Sequence, residues 1–374
     1  AGVDTSYNAP GARATGGNNH SSSSAIDDLA SMMAAKVVVR ASTLSSHFSD
    51  LACILSHVPL VAFMSPTAPS TTQQQHHGGD AEDGEQVVLS GGVINSPQLL
   101  MLSGVGPADA LRALGIAVAT DRAGVGQNLQ DHLCVHTVHT SRVRTLTDEL
   151  TRTERGAVSL ARVALLRSGP AAGFPLEGGA FIRTSDTLEI PDVQLHFSAG
   201  NLMSLIRRPF ATPTQDHTRP DAFMCHVCQL RPQSRGEIRL RSANPAEAPV
   251  IAPNYLSAAR DRETMREGFK VMRDVMHQPA LAALSDGEIS PDPRVRSDAE
   301  IDAFIRATGG TVYHPVGTCR MGADDDAVVD AALRVRGVGG LRVVDASVMP
   351  TLVGGNTHAP TVMIAEKAAD MILG

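Results

Sequence analysis

A chain of 374 residues is long enough for one large domain or two ordinary ones, and with 43% apolar and 19% charged residues it can bury a sizeable core. Aromatic residues make up only 3% and Trp is absent, so that core must be aliphatic and Met-based. A formal charge of -7, with no dense Lys/Arg run, argues against nucleic acid or an anionic membrane as a partner. The Cys residues at 53, 134, 225, 228 and 319 form an odd, sparse set rather than a disulfide framework. Ala1 to Ser24 has neither a basic n-region nor an apolar h-region, so no secretory signal is expected. Leu51 to Met64, the most apolar stretch, is too short to span a bilayer and contains His57 and Pro59. The expectation is a soluble protein without a transmembrane segment, cytoplasmic or organellar rather than secreted.

Residues 1–85 read as low-complexity, divergent and poorly ordered. Gly16-Gly17-Asn18-Asn19-His20 with Ser21 to Ser24, and the polar tract Ser65 to Glu85, cannot bury enough apolar surface to offset ordering entropy. Lys36 to Arg40 could form one strand. At Gln86 the character changes. Val87-Val88-Leu89 is a short buried-strand run. Ser96 offers an N-cap with Pro97 at the first helical position, and Gly104 can close that helix. Pro107 to Leu114 reads as a second helix stopped by Gly115. A Gly-rich loop, Gly124 to His132, follows. In the middle, Val193, Leu195 and Phe197 alternate as in a half-buried strand. Met224 to Leu230, the turn Pro232 to Gly236, and Ile238 with Leu240 read as a hairpin. Asp261 to Met276 places Met265, Phe269, Met272 and Met276 on one helical face. Ser297 and Glu300 form a capping box ahead of Ile301. The end returns to an α/β pattern, with a strand over Leu341 to Asp345 and a helix over Thr361 to Ile372.

Common catalytic motifs are missing. The sequence has no His-Glu-x-x-His, no Gly-x-Ser-x-Gly and no Walker A motif. Asp324-Asp325-Asp326 lacks the Gly that a calcium loop needs and reads as a solvated turn. Cys225-His226-Val227-Cys228 resembles half a zinc site. In a strand, however, Cys225 and Cys228 point to opposite faces and no second pair exists, so no metal is expected.

Three segments are more specific. Gly92 to Pro107, reading GVINSPQLLMLSGVGP, resembles the second signature of the glucose–methanol–choline oxidoreductases, with Val93 where that family has a small residue. Tyr313-His314-Pro315-Val316-Gly317-Thr318-Cys319-Arg320-Met321-Gly322 is similar to one of its C-terminal blocks. Gly339 to Pro350 and Gly354 to Thr361 are similar to the other, in order and spacing. Pro232 to Gly236 and Pro253-Asn254-Tyr255-Leu256 fit its substrate domain. The similarity runs from about Gln86 to the C-terminus, nearest to the choline and alcohol dehydrogenase branch.

The resemblance implies an α/β (α+β) fold, with a partial FAD-binding, Rossmann-like domain and an antiparallel-sheet substrate domain with helices. It places residues 86–133 and 306–374 in the FAD-binding part and residues 134–305 in the substrate part. It implies an FAD-dependent oxidoreductase acting on CH–OH groups, a small alcohol as substrate, and an electron acceptor that is left open. Elementary chemistry agrees: no side chain accepts a hydride, and His is the natural base near neutral pH. By the resemblance His314 is the base and His358 its partner. Gly92, Asn95, Asp345, Ala346, Asn356, Pro360 and Thr361 are expected against the cofactor, with the helix after His358 aiming its positive end at the flavin. The plainer alternatives are that His314 and His358 are surface or capping groups and that Asp345 is a turn acid.

One expectation runs the other way. The sequence contains no Gly-x-Gly-x-x-Gly turn between a strand and a helix, the turn that cradles a dinucleotide pyrophosphate. A non-catalytic fragment, or a flavin-holding lyase on the same scaffold, therefore stays open as an alternative.

Overall fold

The computed structural model describes residues 86–151, 153–173, 176–201 and 221–373. The strand expected over Lys36 to Arg40, and the polar tracts around it, lie outside the described residues.

Val87–Leu89 (β1) runs parallel to residues 341–343, so the start of the described chain pairs with a strand of the C-terminal segment. Gly92–Leu102 (α1) starts earlier than expected, and Pro97 lies inside it. Pro97 has no N–H to offer the Val93 carbonyl four residues back. Thr318 Oγ1 donates to that carbonyl at 2.6 Å, which explains why the helix continues through the proline. Ser96 is correspondingly no N-cap. It is fully buried, accepts from Gly91 N at 3.0 Å and donates to Asp345 Oδ2 at 2.5 Å. Val105–Gly106 (β2) and Thr120–Asp121 (β3) form a short parallel pair around Ala108–Ala113 (α2). Asp121 Oδ1 accepts from Ala108 N at 3.0 Å, putting a carboxylate at the positive end of α2. In the Gly-rich loop, Gly126 has φ +82°, and an added Cβ would lie 2.2 Å from the Ile238 carbonyl oxygen. Only glycine meets both demands.

Leu133–Ser141 (β4) opens a six-stranded antiparallel sheet. Leu146–Thr151 (α3) and Thr153–Leu166 (α4) follow it, then Gly178–Ile182 (β5), Val193–Ser198 (β6) and Ala222–Gln229 (β7). Glu237–Arg239 (β8) pairs with Val250–Ala252 (β9) and not with β7. The expected hairpin is thus replaced by a departure from the sheet. The cause is local: Gly236 exchanges backbone hydrogen bonds with Leu129, Ile238 N donates to Gly126 O at 2.7 Å, and the Ile238 side chain is fully buried. The Gly-rich loop captures this segment before it can return.

Ala259–Met276 (α5) carries Met265, Phe269, Met272 and Met276 on its buried face, against Leu133, Val135, Leu195, Phe197 and Val227. Pro279–Ala282 (α6), Ser285–Ser290 (β10), Asp298–Thr308 (α7) and Gly310–Thr311 (β11) complete this part. The sheet order is β10–β4–β7–β6–β5, with β11 beside the start of β4. The capping box at Ser297 and Glu300 is formed, with Ser297 N donating to Glu300 Oε2 at 2.9 Å. Ser297→Ala is expected to cost about 1 kcal/mol. Urea titration should show a lower midpoint at an unchanged slope.

Leu341–Val343 (β12) leads into a 3₁₀ turn at Ala346–Val348, and the chain ends in His358–Leu373 (α8). This last helix begins three residues before its expected start. Pro360 is therefore its third residue, where a missing N–H loses nothing because the first turn has no intrahelical acceptors. A second core, with Val93, Leu100, Leu111, Val125, Ile238 and Val343, lies between α1, the Gly-rich loop and the C-terminal segment. Among the described residues no helix is long and apolar enough to cross a membrane.

Candidate active site

The side-chain period of two divides β4, β7 and β6 into a face toward α5 and an opposite face. On the opposite face His136, His226 and His196 stand directly across from one another on three adjacent strands. The next row is Cys134, Cys228 and Gln194. Cys225 and Cys228 do point apart: Cys225 joins the core under α5, and Cys228 Sγ lies 3.8 Å from His196 Nδ1. Among the described residues no group of His, Cys, Asp or Glu is arranged to hold a metal ion. Burial lowers the pKa of His196, drops that of His226 to about 3, and pushes the Cys134 thiol up to about 12. On this wall His196, His226 and Cys134 are therefore held in their uncharged forms near neutral pH.

His314 stands where the wall meets the C-terminal segment. Residues 312–316 run antiparallel to 130–132. Gln130 and Val316 exchange backbone hydrogen bonds, and Val312 N donates to His132 O at 3.2 Å. Tyr313 is in the left-handed region at φ +65°, a conformation uncommon outside glycine. That reversal carries His314 N to Asp131 Oδ1 at 3.0 Å. Asp131 is itself buried, with Oδ2 accepting a short bond from the Tyr255 hydroxyl, and desolvation raises its pKa.

The His314 ring meets two partners. Nδ1 lies 3.0 Å from Nδ1 of His132, with the rings edge-to-face at 85°. Nε2 lies 3.4 Å from Asn356 Nδ2. Burial first, then the neighbouring imidazoles of His132 and His196, lower the His314 pKa to about 4. The ring is neutral at physiological pH, the form that accepts a proton.

The other residues singled out in the sequence fall into two groups. Asp345 ties α1 to the 3₁₀ turn: Oδ2 accepts from Gly92 N at 2.9 Å as well as from Ser96, and Oδ1 accepts from Ser347 N at 2.8 Å. Its carboxylate thus takes three protein donors, on a group that offers about four acceptor sites. The Ala346 carbonyl accepts from Gly317 N at 3.4 Å, so Gly92, Asp345, Ala346 and the His314 segment form one connected unit. The second group is the foot of α8. Asn356 and His358 are exposed, and Pro360 and Thr361 are half-buried. Asn356 reaches His314, whereas the His358 side chain makes no hydrogen bond among the described residues. Asn95 is exposed on α1.

Two profiles of the GMC oxidoreductase family match this sequence, at residues 69–134 and 232–365. The chain belongs to that family. It is 46% identical over 293 residues to human mitochondrial choline dehydrogenase, an alignment covering 78% of this chain and 48% of that protein. It is 45% identical over 296 residues to alcohol dehydrogenase [acceptor] of Pseudomonas putida, covering 78% and 51%. Among solved structures, formate oxidase of Aspergillus oryzae RIB40 superposes with a TM-score of 0.70 at 30% identity, covering 77% of this chain and 54% of that one. Pyridoxine 4-oxidase from Mesorbium loti gives 0.61 at 32%, covering 76% and 50%. The chain spans about half the length of the relatives it matches. In that formate oxidase, FAD is subject to modification.

Sequence reading of this GMC chain gave no role to His132, Asp131, Tyr255 or Gln130. Tyr255 lies inside a motif that carried the resemblance and the other three inside the Gly-rich loop, so their presence was visible but their convergence was not. Gln130 fastens the site by donating to Pro350 O at 3.1 Å and accepting from Leu352 N at 3.1 Å.

Proposed function

We propose that this chain provides the substrate side and the proton-handling wall of an FAD-dependent oxidoreductase acting on CH–OH groups of donors, with a small alcohol such as choline as substrate. The observation that carries this reading is a neutral His314 held beside Asn356 at the foot of α8. In this reading residues 86–133 and 306–374 belong to the flavin side, and residues 134–305 form the substrate side.

The donor set fits a flavin ring. The first turn of α8 contains no acidic residue, so its partial positive charge, roughly half a unit, is left for a ligand that gains negative charge. An added Cβ at Gly92 or Gly355 would meet nothing within 4 Å, so a planar group can approach the backbone there. Gly92, Asn95, Asp345, Ala346, Asn356, Pro360 and Thr361 are the residues that would hold it. When bound, FAD supplies the hydride acceptor that side chains lack.

The chain's own residues do the rest. His314 takes the hydroxyl proton at Nε2, the nitrogen facing Asn356. The Asn356 amide and the His358 ring orient the substrate oxygen from the open side of the site. The His and Cys wall of β4, β7 and β6 lines the approach.

The test is anaerobic mixing of the full chain with FAD in excess and choline or a primary alcohol. Bleaching of the visible flavin band beyond the rate of free FAD is the expected result. Because the sequence lacks the pyrophosphate turn, little flavin should stay with the protein after desalting. Absence of bleaching with FAD in excess would favour the non-catalytic alternative.

A further inference from the structure

We infer that His132 is a positioning residue that fixes the tautomer of His314, leaving Nε2 of His314 as the bare, proton-accepting nitrogen. The inference deepens the proposed function, since it rests on His314 being the base.

The argument starts at the far end of the pair. His132 is fully buried, and its Nε2 lies 3.2 Å from the Leu230 carbonyl oxygen and 3.1 Å from that of Val353. Carbonyl oxygens only accept, so Nε2 of His132 must carry the hydrogen. A neutral imidazole has one N–H, so Nδ1 of His132 holds a lone pair. Burial keeps it in that form, lowering its pKa to about 4. At 3.0 Å from that lone pair, Nδ1 of His314 must be the donor. Neutral His314 then has its lone pair on Nε2. The nearby Asn356 Nδ2 is a donor and is compatible with that lone pair alone. Two backbone carbonyls, through two rings, thus decide which His314 nitrogen is the base.

The arrangement also stabilises the proton once taken. With Nε2 protonated, His314 is a cation whose Nδ1–H points at the His132 lone pair. His132 can share that charge because its own N–H is held by two carbonyl dipoles. A carboxylate usually does this for a catalytic histidine, and here a second imidazole fills the place. Neither ring is consumed: the carbonyl product takes no proton back, and the proton on Nε2 of His314 leaves to solvent, which restores the neutral base.

The test is nitrogen-15 NMR of the full chain with labelled histidine, without flavin and near pH 7.5, with His314 assigned by its loss in His314→Asn. The expected spectrum has a pyrrole-like Nδ1 and a pyridine-like Nε2 for His314, and the reverse for His132. His132→Phe removes the acceptor, so part or all of His314 should move to the Nε2–H tautomer. His132→Asn restores an acceptor oxygen near the same point and should restore Nδ1–H. A His314 that carries hydrogen on Nε2 in the unmodified chain overturns the inference, as does one whose tautomer ignores His132→Phe. The unmodified spectrum decides even if a variant fails to fold. Because flavin is not needed, failure of the oxidoreductase reading and failure of this one are read separately.

Discussion

His314→Ala is expected to slow anaerobic bleaching of flavin by ~10²–10⁴-fold, the usual worth of a positioned base. The fold should survive. His314 is half-buried, and its ring gives up two hydrogen bonds, to His132 and Asn356, each worth about 1 kcal/mol. Its backbone bond to Asp131 uses the amide, which alanine keeps. Stopped-flow absorbance with FAD and alcohol in excess measures the rate, and circular dichroism checks the fold. The contrast is His358→Ala. That ring is exposed and reaches no neighbour among the described residues, so a smaller loss is expected, appearing in KM more than in kcat. Equal losses in the two variants would show that His358 acts on the reacting proton itself. No loss in His314→Ala would remove the base from the proposal.

The sequence discloses elements whose cause is local. The Met265, Phe269, Met272 and Met276 face, the Ser297–Glu300 box and the α2 boundaries all follow from neighbours within a few residues. Where a distant partner decides, local rules mislead. Pro97 reads as a helix start, yet α1 runs through it because Thr318, far along the chain, takes the carbonyl that proline leaves free. The segment after Leu230 reads as the return arm of a hairpin, yet Gly126 and Leu129 bind it first. The same holds for the candidate site. Two histidines could be named from their motifs, because each motif is a contiguous string. That His132 rather than His358 touches His314 depends on residues 130–132 meeting residues 312–316. This antiparallel pairing has no periodic signal in either segment.

Acid should unfold this protein well before its carboxylates titrate. Burial lowers the pKa of five histidines: His132, His139 and His314 to about 4, His226 to about 3, and His196 in the same direction. Unfolded, each returns to its ordinary value of 6.5. Between those values the unfolded chain binds protons that the folded chain refuses, so stability is complete above about pH 6.5 and falls as pH drops toward 4. Each such histidine can remove about 1.4 kcal/mol per pH unit, so four together reach about 5 kcal/mol per unit. Against a typical domain stability of roughly 5–15 kcal/mol, one to three pH units suffice. The carboxylates act elsewhere. Glu300 and Asp324 are held down to about 2 by their hydrogen-bond partners, so their contribution is lost as pH falls from 4.5 and 3.8 respectively toward 2. Asp131 has the opposite sign, because its raised pKa lets the folded state hold a proton more tightly. Circular dichroism against pH should therefore show a steep transition between 6.5 and 4. His226 is the cleanest probe, since it is buried and its Nε2 finds no partner among the described residues. His226→Leu removes one of the titrating groups and should move the midpoint to lower pH with a shallower slope. A transition that begins only below pH 4, or one that ignores His226→Leu, would assign acid sensitivity to the carboxylates and show that the histidine wall stays in contact with water.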